Sequence, residues 1–479
     1  MEQKRVDTSN ATDADLWWVS EIHERQTAAY AAHPMASAAE RISRLKTLKR
    51  LLTENKDRLM EAMVEDFSAR ATNEMLFAEF LMTCNLIDYY CKHVKKWMKP
   101  EKRHLSMLLQ PGKAKVFFQP LGVVGIMAPF NYPVNLSCGP LATALVAGNH
   151  ALIKMPEGTP KTSALFEELV GEYFDPAMVS VVNGGPNVSS FFSGMPFDHL
   201  IFTGATAIGK HVMRAAADNL TPVTLELGGK SPVIIAEDFP IAEAADRLCF
   251  SKSFNSGQTC VAPDYVFVPR QKLNDFVAAY RKSFNAFFPK VGHNPEYSGV
   301  INEHHASRLR HLVVDAADKG ARVEPMSDEV PKDGTRRMVQ TLVVNPDDTM
   351  KIAHEEIFGP ILMVKAYETI DEAINYVNDR DRPLALYVFS FDKTTQNRFL
   401  AETHSGGVVF NESGIHLAVD DLPFGGVGAS GMGHYHGKEG FLTLSKAKSV
   451  LYKPRYNSTR LLYPPYKPFI QRMYNWLLR

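Results

Sequence analysis

Leu200-Ile201-Phe202-Thr203-Gly204-Ala205-Thr206-Ala207-Ile208-Gly209 is the stretch that decides the fold. Its apolar start reads as a strand, Gly204 as a turn, and the residues after it as the opening of a helix. A helix that opens directly off a strand leaves its first N–H groups free, and that end can hold a pyrophosphate. A lone glycine-rich turn is a weak signal, and the GxGxxG fingerprint is absent. The surroundings strengthen it. Upstream, Val123-Val124-Gly125-Ile126-Met127, Ala151-Leu152-Ile153-Lys154 and Val179-Ser180-Val181-Val182 read as strands, with helical patterns over residues 135–146 and 163–174. Strand, helix, strand in repetition gives a doubly wound parallel sheet. Such sheets bind ligands at the carboxyl ends of their strands.

A second α/β series begins at Pro232-Val233-Ile234-Ile235. Its further strands are Tyr265-Val266-Phe267-Val268, Ile361-Leu362-Met363-Val364 and Tyr387-Val388-Phe389, and helices fall over residues 273–288 and 370–377. Residues 36–66 carry one helical apolar stripe that includes Ile42, Leu45, Leu48, Leu51, Leu52 and Leu59. Lys115-Val116-Phe117-Phe118 reads as a short strand.

A chain of 479 residues is too long for one ordinary domain, so two large domains are expected. Basic and acidic residues both number 53, which argues against a nucleic-acid binder. The five cysteines are odd in number and form no CxxC pair, so neither a disulfide framework nor a structural metal site is expected. The chain reads as reduced and cytoplasmic. Met1-Glu2-Gln3-Lys4-Arg5-Val6-Asp7 is polar, without the apolar core of a signal peptide, and no run of about 18 apolar residues suggests a membrane span. Residues 461–479 are rich in Tyr, Leu, Phe and Pro. They read as a dimer-packing tail, with contact to a membrane surface as the less favoured alternative.

Three segments carry chemistry. Phe254-Asn255-Ser256-Gly257-Gln258-Thr259-Cys260 ends on a thiol that can attack a carbonyl carbon. Most free cysteines are small buried apolar residues. Ser256, Gly257 and Thr259 instead leave room for a substrate. Pro129-Phe130-Asn131-Tyr132-Pro133 offers a carboxamide in a turn, a candidate donor to an oxyanion. Val223-Thr224-Leu225-Glu226-Leu227-Gly228-Gly229-Lys230 places Glu226 after a buried strand and before two glycines where the chain can turn sharply. A partly buried carboxylate has a raised pKa and becomes a better base near neutral pH.

Together these segments resemble the aldehyde dehydrogenase superfamily, and the resemblance covers residues 41–452. It implies an α/β fold of two doubly wound domains, a Rossmann-type cofactor domain and a catalytic domain, with a small β oligomerisation arm. The implied NAD(P)-binding domain is residues 1–101 and 120–226, and the catalytic domain is 227–433. The arm and C-terminal tail are 102–119 and 434–479. The family's chemistry makes Cys260 the nucleophile that forms a thiohemiacetal. Asn131 and the Cys260 backbone N–H hold the oxyanion, and Glu226 activates the water that hydrolyses the thioester. Phe130 stands where the family usually has Trp. The implied cofactor is NAD, with NADP left open. Lys154 and Glu157 would handle the adenosine ribose, Glu157 repelling a 2′-phosphate. Gly204, Ala205, Gly209 and Leu227 belong to the phosphate-side contacts. Ala205 replaces a common Ser, so backbone N–H groups must do more. Glu356 would hold the nicotinamide ribose and Phe358 would pack near its ring. Asn411 matches a residue that supports the catalytic centre in relatives. No metal is implied.

Further segments resemble the class 3 branch: Cys260-Val261-Ala262-Pro263-Asp264-Tyr265, Arg382-Pro383-Leu384-Ala385-Leu386-Tyr387, Leu422-Pro423-Phe424-Gly425-Gly426-Val427-Gly428, and Ser430-Gly431-Met432-Gly433-His434-Tyr435-His436-Gly437. Within it the chain looks most like the bacterial coniferyl aldehyde dehydrogenases. The resemblance implies oxidation of an aromatic aldehyde to the acid by a homodimer. Oxidation of medium- or long-chain fatty aldehydes is the alternative. Transfer of the acyl group to coenzyme A, and a non-catalytic binding role, stand behind both.

Overall fold

A computed structural model describes residues 16–479 apart from 330, 332, 333 and 457. The polar stretch at residues 1–7, read as lacking a signal peptide, lies outside the described residues. The strands that matter for the site are short apolar runs, and their burial explains their composition. Val123–Met127, Pro232–Ile235 and Tyr265–Pro269 are buried at every position. A parallel strand covered on both faces needs no polar alternation. Each fully buried Val, Ile or Leu side chain contributes about 1.5–3 kcal/mol.

The first sheet has six strands in the order Gly431–Met432, Val223–Leu227, His199–Gly204, Val123–Met127, His150–Lys154, Val179–Val182. All neighbours are parallel except the edge strand Gly431–Met432. That edge strand, read from sequence with the second unit, pairs with Val223–Leu227 and so joins the first sheet. The chain runs outward in both directions from Val123–Met127 and His199–Gly204, which makes the gap between them the switch point where a ligand crevice opens. The second sheet has seven strands, in the order Arg322–Pro325, Thr341–Val344, Ile361–Tyr367, Tyr265–Pro269, Pro232–Ile235, Ala385–Phe389, Gly407–Phe410. A third, antiparallel sheet joins Glu101–Arg103, Lys113–Pro120 and Ser445–Tyr452.

Two further sequence expectations change. The stripe over residues 36–66 is two helices, Ala38–Glu54 and Lys56–Phe67. Asn55 breaks them, because its side-chain amide donates back to the Leu51 carbonyl at 3.0 Å and competes with the helix backbone. Glu226 does not follow its strand but stands fourth of five residues within Val223–Leu227, paired in register with Gly431. No helix of the described residues is long and apolar enough to cross a membrane.

Candidate active site

The nucleophile loop follows the helix Ile241–Ser253. Asn255 (φ 48°, ψ 35°), Ser256 (φ 55°, ψ 33°) and Gly257 (φ 71°) all take the left-handed conformation. For a residue with a Cβ this costs on the order of 1–3 kcal/mol, so the surroundings must hold it. They do. The Gln258 amide donates to the Asn255 and Gly299 carbonyls, both at 3.0 Å, and its oxygen accepts from the Ile301 N–H at 2.9 Å. At Gly257 a Cβ would lie 2.3 Å from the Gly359 oxygen, so only glycine fits. Cys260 leaves this turn half-buried and lines a cavity between the two large sheets.

Asn131 lies beyond the carboxyl end of Val123–Met127, just before the helix Asn135–Ala147. Its side chain donates to the Gln258 carbonyl at 3.0 Å. An amide nitrogen carries two hydrogens, so one remains for an oxyanion. Sequence reading missed what holds this turn. Arg70 donates to the Asn131 carbonyl at 2.9 Å and pairs with Glu79 at 2.9 Å, both side chains fully buried. Glu79 accepts from the N–H groups of Val134 and Asn135 at 3.2 and 2.7 Å, capping the helix. Five residues before Glu79, Glu74 accepts from the Asn255 N–H at 3.1 Å and the Ser298 hydroxyl at 2.6 Å. Burial pushes its carboxyl up to about 7. The turn Thr72–Met75 and the π-helical Leu76–Leu81 thus brace both the oxyanion donor and the nucleophile loop. An acid within Leu76-Phe77-Ala78-Glu79-Phe80-Leu81, an otherwise apolar run, was the signal available in the sequence.

Glu226 is 4% exposed, and neither carboxylate oxygen has a hydrogen-bond partner in the protein. Burial pushes its pKa well above the ordinary range. The Cys260 thiol is pushed up to about 12, first by burial and then by the charges of Glu226 and Glu356. The resting thiol is therefore protonated at neutral pH, and attack requires a nearby acceptor for its proton. A Cβ at Gly425 would lie 3.3 Å from Glu226 Oε1, so this glycine keeps space beside the carboxylate.

The residues expected to bind a dinucleotide lie at or near the carboxyl ends of strands, apart from Glu356 and Phe358. Ala205 is the N-cap of Thr206–Ala217 and supplies no side-chain cap, leaving the first-turn N–H groups for a phosphate. Gly209 packs on Leu227, since a Cβ there would lie 2.6 Å from Leu227 Cδ2. Gly204 ends its strand against the Phe202 ring. Lys154 is buried, donates to the Met155 carbonyl at 2.7 Å and stands 3.6 Å from the exposed Glu157 carboxylate. Glu356 crosses to the first sheet, where a Cβ on Gly228 would lie 2.1 Å from its Oε2. Its carboxyl is pushed up to about 7, chiefly by burial. Phe358 (φ 47°) sets its ring 5.9 Å from that of Phe130. A helix N-terminus with no side-chain cap suits a phosphate, and the carboxylates of Glu157 and Glu356 can accept from hydroxyls, so the groups present fit a dinucleotide. Asn411 does not line the cavity; its oxygen accepts from the Ser390 N–H at 2.8 Å and supports a turn.

The model of the aldehyde dehydrogenase family matches residues 5–450. The chain belongs to that family. A curated relative from Pseudomonas aeruginosa, "Probable coniferyl aldehyde dehydrogenase", is 53% identical over 452 residues, covering 94% of each chain. Among solved structures, the substrate-bound state of Staphylococcus aureus AldH is 35% identical with a TM-score of 0.91, covering 96% of this chain and 99% of that one. The Mycobacterium tuberculosis aldehyde dehydrogenase complexed with NAD+ is 29% identical with a TM-score of 0.83, covering 93% and 92%. The family's fold and chemistry thus agree with the site geometry.

Proposed function

We propose that this aldehyde dehydrogenase oxidises coniferyl aldehyde or a related aromatic aldehyde to its carboxylic acid. The observation that carries the hydrolytic route is the buried, unpartnered Glu226 beside Cys260. Cys260 Sγ adds to the carbonyl carbon as its proton passes to Glu226. The free N–H of Asn131 and the Cys260 backbone N–H hold the oxyanion; one such donor is worth on the order of 3 kcal/mol in the transition state. A bound nicotinamide dinucleotide supplies the hydride acceptor. With the thioester formed and the first proton passed on to solvent, the Glu226 carboxylate takes a proton from water; the water oxygen attacks the thioester, the C–S bond breaks, and the departing Cys260 sulfur takes that proton as the acid is released.

The aromatic preference rests on the cavity wall. Phe77, Phe250, Phe254 and Phe424 line it with Tyr132 and Tyr435. Phe254 meets Phe77 and Phe250 edge-to-face, with centroids 6.3 and 5.9 Å apart. Such a wall favours a planar ring, and the name of the Pseudomonas aeruginosa relative, "Probable coniferyl aldehyde dehydrogenase", agrees. The exposed Glu157 carboxylate favours NAD over NADP by repelling a 2′-phosphate. We assign the second chain of a homodimer to the three-stranded sheet and the tail, where Tyr463, Tyr466, Phe469 and Trp476 lie exposed.

Initial-rate NADH formation with coniferyl aldehyde, a long alkanal and a short alkanal tests the substrate class. A kcat/KM preference of about 100-fold for coniferyl aldehyde, near 2.7 kcal/mol, is expected. An equal preference for the long alkanal would move the enzyme to fatty aldehydes.

A further inference from the structure

The cavity in front of Cys260 holds more polar groups than the reaction uses, and most of them are already committed within the protein. The Tyr132 hydroxyl is 2.9 Å from that of Thr259. Ser251 and Ser413 bond each other at 2.6 Å. The Asn135 amide donates to Thr83 at 2.7 Å. Two groups remain. The side chains of Asp420 and His436 line the cavity and form no hydrogen bond with any described residue.

The fold brings the backbones at these two positions together. Asp420 follows the short turn His416–Ala418, and His436 precedes the helix Gly437–Thr443. A Cβ at Gly437 (φ 61°) would lie 2.7 Å from the Asp420 carbonyl oxygen, so the two backbones are in contact beside it. The His436 ring stacks on Phe424, with centroids 5.2 Å apart and planes at 27°. Burial raises the Asp420 carboxyl and lowers the His436 ring to about 4, so the imidazole is neutral and carries one N–H. A carboxylate acceptor and a single N–H donor thus stand on an aromatic wall without partners.

Resting on the aromatic reading above, we infer that Asp420 and His436 form a phenol-recognition subsite. Asp420 accepts the O–H of a 4-hydroxyaryl aldehyde, and the His436 N–H donates to the same oxygen. A phenol satisfies both groups at once. An alkanal tail or a bare phenyl ring leaves both desolvated and unpaired, which is how a site built for a hydroxyl rejects the analogue that lacks it. A 4-O-methyl ether keeps the shape and the acceptor oxygen but cannot donate to Asp420.

The test is the ratio of kcat/KM for coniferyl aldehyde to that for its 4-O-methyl ether, measured within each enzyme form so that any general loss of activity cancels. The wild-type ratio is expected to be on the order of 10- to 100-fold. In Asp420→Ala it should collapse to within about twofold, and Asp420→Asn, which keeps the side-chain shape, should fall between. His436→Phe should lower the rates with both substrates, because both retain the acceptor oxygen. A wild-type ratio near one, or a large ratio unmoved by both Asp420 substitutions, overturns the subsite while leaving the aromatic reading intact. A wild-type enzyme that turns over alkanals and neither aryl aldehyde overturns both.

Discussion

Glu79 and Glu226 are hidden from solvent to nearly the same degree, 0% and 4% exposed, yet the protein treats them in opposite ways. Glu79 has Arg70 at 2.9 Å and two backbone N–H groups. Glu226 has no partner on either oxygen. Burial raises the pKa of both, but around Glu79 the Arg70 charge and the N–H bonds oppose the rise, and around Glu226 no opposing influence is resolved. A buried carboxylate without partners is costly, and the cheaper state is the protonated one. The pair teaches a division of labour. A paired charge braces the turn that carries Asn131, and a carboxyl held by no partner stays free to give up and take back a proton at Cys260.

The largest way to break this contrast is to strand Glu79. Arg70→Met should cost about 3–5 kcal/mol in urea unfolding, because it leaves a buried charge uncompensated. The same change should lower kcat as the Asn131 turn loosens. Glu226→Gln should do the reverse, reducing steady-state turnover by about 10²- to 10⁴-fold with little effect on stability near pH 5. Together the two substitutions separate the brace from the base. If Glu226→Gln unfolded the protein and Arg70→Met did not, the assignment would be inverted.

The contrast sharpens with pH. Glu226 is raised in the folded state, so its contribution to stability is full below the ordinary carboxylate value of 4.5 and is lost as pH rises toward its folded pKa. Glu226→Gln lacks this loss. The variant should therefore gain on the wild type as pH rises, at up to about 1.4 kcal/mol per unit within the window. Urea midpoints at pH 6, 7 and 8 measure this; a difference that does not change with pH would contradict the raised pKa. The smallest expected effect is at the brace's far end. Ser298→Ala removes one hydroxyl donor from Glu74 and should cost about 1 kcal/mol, with kcat falling less than tenfold.

The sequence made the strands legible because parallel strands buried on both faces are unbroken apolar runs. Val123–Met127, Val179–Val182 and Pro232–Ile235 match their readings residue for residue. The break at Asn55 was hidden because the apolar stripe continues on both sides of it. Glu226 was read one step late because Gly228-Gly229 marked a turn more loudly than the charge marked a strand. The brace left one local trace, Glu79 in an apolar run, and its partners were hidden for a different reason. Arg70 meets Asn131 across 61 positions, and Glu74 meets Asn255 across 181. Local pattern carries no record of such contacts. Asp420 and His436 were passed over in the same way, since only the folded cavity shows which polar groups lack partners.

The most direct test of the division of labour is rapid mixing of Glu226→Gln with NAD and coniferyl aldehyde, following NADH at 340 nm, a wavelength characteristic of the reduced cofactor. The account predicts a burst of about one NADH per active site followed by slow steady state, because water can take the Cys260 proton in place of Glu226, whereas the attacking water has no other base. A trace with no burst, slow from the first turnover, would contradict it and make Glu226 indispensable before the thioester.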